Sequence, residues 1–189
     1  MQNLHFLTTR LSVASRQLGE PAPTPAQLEQ LLAAAIRVPD HGKLQPFRLL
    51  LLRGEARVRL GAELAALHLR NEPDLPTSVL EKDRTRFAFA PLIVAVLARV
   101  AANHPKVPVQ EQILSAGCVA YNLLLGAQAL GFGAQWLTGW AAYDRDAGSL
   151  LGLADNERVV AFVHIGTARE AAPERTRPAL SDLLSEWQG

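Results

Sequence analysis

Apolar side chains recur along this chain with two different periods. Leu4, Leu7 and Leu11 sit at helical spacing and predict a short first helix that runs to about Arg10. Pro21, Pro23 and Pro25 stiffen an extended connector from Gly19 onward. At its end Thr24, Pro25 and Gln27 read as a helix start: a hydroxyl cap, a proline in the first turn and an amide placed to complete a capping box. Leu28, Leu31, Leu32, Ala35 and Ile36 then form an apolar stripe, which Pro39 terminates.

Phe47–Leu52 is a short apolar run between Pro46 and Gly54 and predicts a buried strand. A helix follows over about Glu55–Asn71, then a proline-containing loop, Glu72–Thr77, and a modest helix over Ser78–Phe87. Leu92–Ala98 predicts a second buried strand, and Ala101–Pro108 an irregular segment. Val109–Leu130 is the longest helical pattern. It is apolar through Ala116, Cys118, Val119, Ala120 and Leu123–Leu125, which marks it as the central helix, with Cys118 a small buried side chain. Gly131 and Gly133 end it; Ala134–Leu137 and Val159–Ile165 predict two further strands, and Ala179–Trp187 a last short helix after an irregular charged tail. Four strands among six or seven helices, without strict βαβ alternation, predict an α+β sandwich in one domain over residues 1–189.

Composition narrows the function more than the fold. The formal net charge of +1 gives no electrostatic reason to expect nucleic-acid binding. The longest apolar run, Ala90–Ala98, falls far short of the ~20 residues that span a bilayer. The first ten residues lack a charged region followed by an apolar one, so no secretion leader is expected, and the single cysteine fits a reducing, cytoplasmic setting. His104 and His164 have no companion at metal-ligand spacing, and no metal site is expected. Neither a Gly-x-Ser-x-Gly elbow nor a phosphate-binding P-loop occurs.

Several polar constellations stand out, each with a plain structural alternative. Arg10, Leu11 and Ser12 place a guanidinium and a hydroxyl where both can reach one phosphate; the alternative is a helix-terminal arginine opposing the dipole. Arg37–Pro46 packs two prolines, a glycine and five polar or ionisable side chains between a helix and a strand. There His41 could donate to a carbonyl or an anionic ring, and Gln45, held extended by Pro46, could read an amide-like edge; alternatively Asp40 and His41 form a turn and satisfy each other. Gly131 and Gly133 allow a flat ligand close to the backbone, or serve as a helix cap feeding a core strand, with Trp136 and Trp140 as packing residues. Gly166 and Thr167, with Arg169, Arg175 and Arg177 beyond, suit an anion or a solvated tail.

In this order, Arg10-Leu11-Ser12, Glu20–Thr24, Arg37–Gly42, Gln45-Pro46-Phe47, Ala90–Ile93, Lys106–Pro108, Glu111-Gln112, Ser115–Cys118, Gly131–Gly133 and Ile165–Thr167 resemble the nitroreductase family of FMN-dependent oxidoreductases, most of all its small YdjA-type branch. The resemblance covers nearly the whole chain. It implies an intertwined homodimer with two FMN sites between subunits and NADH or NADPH as electron donor. It also implies a nitroaromatic, quinone or similar small-molecule acceptor reduced by ping-pong turnover. No nucleophile–base pair is expected, because flavin N5 carries the chemistry. By resemblance Arg10, Leu11 and Ser12 hold the FMN phosphate, Arg37 and His41 reach the flavin from the other subunit, Gln45 joins them, and Trp136, Leu137 and Thr138 line the ring. Gly126, Ala127, Gln128, Ala129, Leu130 and Gly131 match a segment assigned to the nicotinamide donor. Many relatives carry a second arginine where Leu11 stands, so the phosphate grip here either has one arginine fewer or draws on Arg16 or Arg169. The apolar Ser115–Leu130 stretch is the expected dimer seam. A flavin carrier or sensor without turnover, and another flavin reaction on the same fold, are the competing functions.

Overall fold

A computed structural model describes residues 4–189, so residues 1–3 of the stretch on which the leader reading rests lie outside it. The helices are α1 (His5–Thr8), α2 (Pro25–Ala35), α3 (Glu55–Asn71), α4 (Thr77–Arg86), α5 (Val109–Ala129) and α6 (Arg145–Leu150). The strands are β1 (Leu18–Gly19), β2 (Phe47–Arg53), β3 (Leu92–Arg99), β4 (Gly133–Leu137) and β5 (Glu157–Ala168). The strand order is β1-β5-β3-β2, with β4 also on β5, and every pairing is antiparallel. Among the described residues the fold is thus α+β without a βαβ unit, as the element order implied.

Sequence chemistry explains the main elements. Thr24 accepts from the Gln27 backbone at 3.3 Å while the Gln27 amide oxygen accepts from the Thr24 backbone at 3.0 Å, the reciprocal cap that starts α2. β3 lies between β2 and β5 and is buried on both faces, hence its unbroken apolar run. Leu92, Val94, Val96 and Ala98 point to one face with Val163 and Ile165, under α2 and α5; Ile93, Ala95 and Leu97 point to the other with Phe162, beneath α3 and α6. A bulge opposite Val96 and Leu97 leaves Val160 unpaired with β3, which keeps Val159 and Phe162 on the same face.

Polar side chains pin the segments that the sheet does not hold. Gln112 on α5 is fully buried; its amide accepts from the Ala101 N–H and donates to the Ala101 and Val107 carbonyls, fixing the irregular 101–108 segment. Arg48 grips Glu157 with two bonds of 2.7 Å, which hold that carboxyl down at about pKa 2.

Three expectations are corrected. The first helix is the single turn His5–Thr8; the Thr8 and Thr9 hydroxyls both bond back to the His5 carbonyl, and residues 10–14 carry no helix. Ala179–Trp187 holds only the short turn Leu180–Asp182. Its Leu180, Leu183, Leu184 and Trp187 find no apolar surface in this chain, and an isolated short helix does not sustain itself. Cys118 is exposed: α5 buries one side on the sheet and turns Leu114, Cys118 and Tyr121 outward at spacings of four and three. Short elements escaped the pattern, namely the two-residue β1 and the six-residue α6.

Candidate functional site

The amino-terminal segment is laid along β4. The Val13 N–H donates to the Ala134 carbonyl at 3.0 Å, and the Ser15 N–H donates to the Gln135 side chain. Nearby, the Leu11 N–H donates to the side chain of Gln128 in the last turn of α5. Gly133 permits this approach: a Cβ there would sit 2.8 Å from Leu18 and 2.9 Å from Val13. The result is that Arg10 and Ser12 are presented together, with the guanidinium 3.3 Å from the hydroxyl. Among the described residues Arg10 has no carboxylate partner.

Trp136 and Leu137 form the far end of the same strand, and Thr138 follows directly. Thr138 lies four residues beyond Ala134, about 13 Å along the strand. All three are half-buried, with Trp136 packed toward α5. A cation with a hydroxyl at one end of an edge strand and a half-open apolar end at the other suit a ligand with an anionic tail and a flat ring. The donor set fits a phosphate monoester, since a dianion takes charge-assisted bonds from Arg10 and Ser12 together. Arg169 is placed over Gly19, with its Nε 2.9 Å from where a Cβ would be, and Arg16 is exposed; no hydrogen bond joins either to Ser12.

The Arg37–Gln45 loop is a separate construction. Ser115 donates to the Pro39 carbonyl and Asn122 to the Ala35 and Arg37 carbonyls, so the middle of α5 holds the start of the loop. Asp40 accepts from the backbone N–H groups of Leu44 and Gln45. Asp40 and His41 therefore do not satisfy each other; His41 Nδ1 donates instead to Glu111 at 2.7 Å, leaving Nε2 outward on an exposed ring. Gln45 is not extended. Its φ is +51° and that of Lys43 is +56°, left-handed values for two non-glycine residues in one loop. The Asp40 carboxylate bonds directly to the Gln45 N–H and so holds a conformation that costs on the order of 1–3 kcal/mol.

Of the segment matched to the nicotinamide donor, Gly126 packs beneath Leu31 and Ala127 is buried, Gln128 is engaged with Leu11 and Thr9, Leu130 is half-buried, and Ala129 and Gly131 reach the surface.

Behind the end of β4 stands a group that no sequence spacing announced. Arg86 donates to the Thr138 carbonyl at 3.0 Å. Asp83, one turn earlier on α4, is 3% exposed and accepts from His68 at 2.6 Å and from the Trp140 indole at 2.9 Å. Trp140 thus packs, as expected, and is also a donor. On β5, His164 is wholly buried with both ring nitrogens unpartnered. Burial, reinforced by the Arg86 charge, lowers its pKa from 6.5 to about 3. An unfolded chain takes up this proton near pH 6.5 and the folded one only near pH 3, so the fold loses stability across that window as pH falls. We expect His164→Leu to flatten the thermal-melting profile between pH 6.5 and 3 without lowering the melting temperature at pH 7. An unchanged slope would show that other groups set it.

The nitroreductase family model matches residues 7–167. A Haemophilus influenzae protein named "Putative NAD(P)H nitroreductase" is 38% identical over 177 residues, covering 94% of each chain. The Escherichia coli protein of the same name, YdjA, is 37% identical over 167 residues, covering 88% of each. A solved structure from Desulfovibrio desulfuricans, in complex with FMN, superposes with a TM-score of 0.75 at 22% identity, over 97% of this chain and 95% of that one.

Proposed function

This chain belongs to the nitroreductase family, and from that premise we propose that it is an FMN-dependent oxidoreductase that takes electrons from NADH or NADPH. The observation that carries the reading is Arg10, beside Ser12 and free of any carboxylate among the described residues, on a segment laid along the strand that ends in Trp136 and Leu137, with Thr138 next. Bound FMN supplies the redox chemistry, hydride in from the nicotinamide and electrons out to a nitroaromatic, quinone or similar acceptor in ping-pong order. The chain supplies grip and orientation. Arg10 and Ser12 hold the phosphate, the Leu11 backbone is fixed by Gln128, and Trp136, Leu137 and Thr138 line the ring. The exposed Ala129 and Gly131 are the members of the Gly126–Gly131 segment that we assign to the donor.

The same reading makes the working unit a homodimer. In one chain His41 is tied to Glu111 and the Arg10 segment to Gln128, near opposite ends of α5 and about 25 Å apart along its axis. Leu114, Cys118 and Tyr121, turned outward, straddle the midpoint between those ends. A two-fold axis there sets two copies of α5 antiparallel and carries His41, Arg37 and Gln45 of one chain to the Arg10 end of the other. The uncovered tail leucines and Trp187 fit an intertwined assembly of the same kind. His41, oriented by Glu111, then offers Nε2 to the ring, and Arg37 adds a cation where negative charge builds up. Among the described residues no helix is long and apolar enough to cross a membrane, and we place the enzyme in the cytoplasm as one FMN-binding domain per chain.

The test is the visible spectrum of the purified protein. We expect a yellow dimer, one FMN per chain, bleached by NADH or NADPH and recoloured by an acceptor. Protein that stays colourless with excess FMN would contradict the reading.

A further inference from the structure

Three features converge on the segment Thr138–Trp140, just beyond β4. The Thr138 carbonyl accepts from Arg86, and the Trp140 indole donates to Asp83. Between them Gly139 has φ +82°, and a Cβ there would lie 2.6 and 2.8 Å from the two terminal nitrogens of Arg86. The glycine is needed both for its backbone and because the guanidinium fills the space of a side chain. Arg86 is itself supported from below by the Phe87 ring, 5.7 Å from its guanidinium carbon. Asp83 is held from the other side by His68, whose ring lies 4.4 Å from that of Trp140. A carboxylate this deeply buried is retained at a cost unless every neighbour serves it. Here it has two hydrogen-bond donors and the favourable charge of Arg86.

We propose that Asp83 and Arg86 are positioning residues for the flavin. As a two-point clamp on one face of α4, they fix Thr138–Trp140 and with it the ring-lining end of β4, while His68 orients Asp83. The inference rests on the FMN reading above and adds the α3–α4 pair to the site. Neither residue touches the reacting atoms; both act through the backbone of Thr138 and the side chain of Trp140. A movement of a few tenths of an ångström at this segment tilts the ring relative to the donor, which lowers the rate of hydride transfer more than it weakens binding.

The test compares holo-protein of the wild type, Arg86→Gln, Arg86→Lys and the distant control Glu157→Gln. Each is measured for circular dichroism of the bound flavin, FMN dissociation constant and the single-turnover rate of reduction by NADH and by NADPH. For Arg86→Gln we expect an altered flavin dichroism and a reduction rate roughly tenfold lower, about one charge-assisted hydrogen bond, with a smaller change in FMN affinity. Arg86→Lys restores part of both. Glu157→Gln lowers the melting temperature but leaves the flavin signals as in the wild type. If Arg86→Gln does not fold, hydrogen exchange on the wild type decides: residues 80–88 and 137–143 gain protection together when FMN is added. Wild-type flavin signals in Arg86→Gln, or protection confined to residues 137–143, would overturn the clamp. A wild type that binds no FMN would overturn the functional reading and the clamp with it.

Discussion

Arg10→Ala should release FMN while leaving the fold intact. Arg10 is half-buried, touches Ser12 and bears no carboxylate among the described residues, so its removal costs no internal ion pair. What it removes is one or two charge-assisted bonds to a dianion, each about 1.5–3 kcal/mol, for a loss of affinity of about tenfold to about twenty-thousandfold. Leu11 adds no second cation beside Arg10, so less remains to share the phosphate, and the effect belongs toward the upper end. Fluorescence titration of the apo-protein with FMN measures this directly, and thermal melting of the apo-protein should coincide with wild type. Unchanged affinity would place the phosphate elsewhere, with Arg169 the next arginine to test.

Gly61→Ala should unfold the protein or come close to it. Gly61 lies in the middle of α3, where α4 crosses it; a Cβ there would stand 2.2 Å from the Arg84 carbonyl oxygen and 3.0 Å from its carbon. The obstacle is backbone in another helix and cannot rotate away. The helices must separate, exposing Leu60 and Leu64 and pulling Asp83 from His68. Overpacking commonly costs 1–3 kcal/mol, and a contact this short against backbone lies above that range, at more than about 3 kcal/mol, a large share of a domain's stability. Chemical denaturation would show it as a midpoint shift. A variant within about 0.5 kcal/mol of wild type would mean that α3 and α4 are not packed this closely. Because α4 carries the clamp on Thr138, folded Gly61→Ala protein should also hold FMN abnormally.

Local chemistry was legible in the sequence. Thr24, Pro25 and Gln27 announced α2, the unbroken run through Ala98 announced a strand buried on both faces, and the close spacing of Arg10 and Ser12 announced that their side chains meet. Contacts between distant residues were not. Leu11 meets Gln128 across 117 residues, and His41 meets Glu111 across 70, with no spacing rule to expose either. Gln45 carries a left-handed backbone because Asp40 holds it there, which overrode the extended preference of a residue before proline. Cys118 looked like core because its neighbours are apolar, yet it belongs to the outward stripe with Leu114 and Tyr121. The tail leucines repeated at helical spacing, but a helix needs a surface to lie on, and this chain offers them none.

In the proposed dimer each FMN is held by two chains. Mixed dimers test it most directly, formed from one chain carrying Arg10→Ala and one carrying Arg37→Ala with His41→Ala. In such a dimer one interface site has lost both sets of contacts and the other keeps both intact. We expect one tightly bound FMN per mixed dimer, where each parent homodimer binds weakly or not at all. Mixed dimers that bind no better than either parent would mean that Arg10, Arg37 and His41 serve a flavin within one chain, and would contradict it.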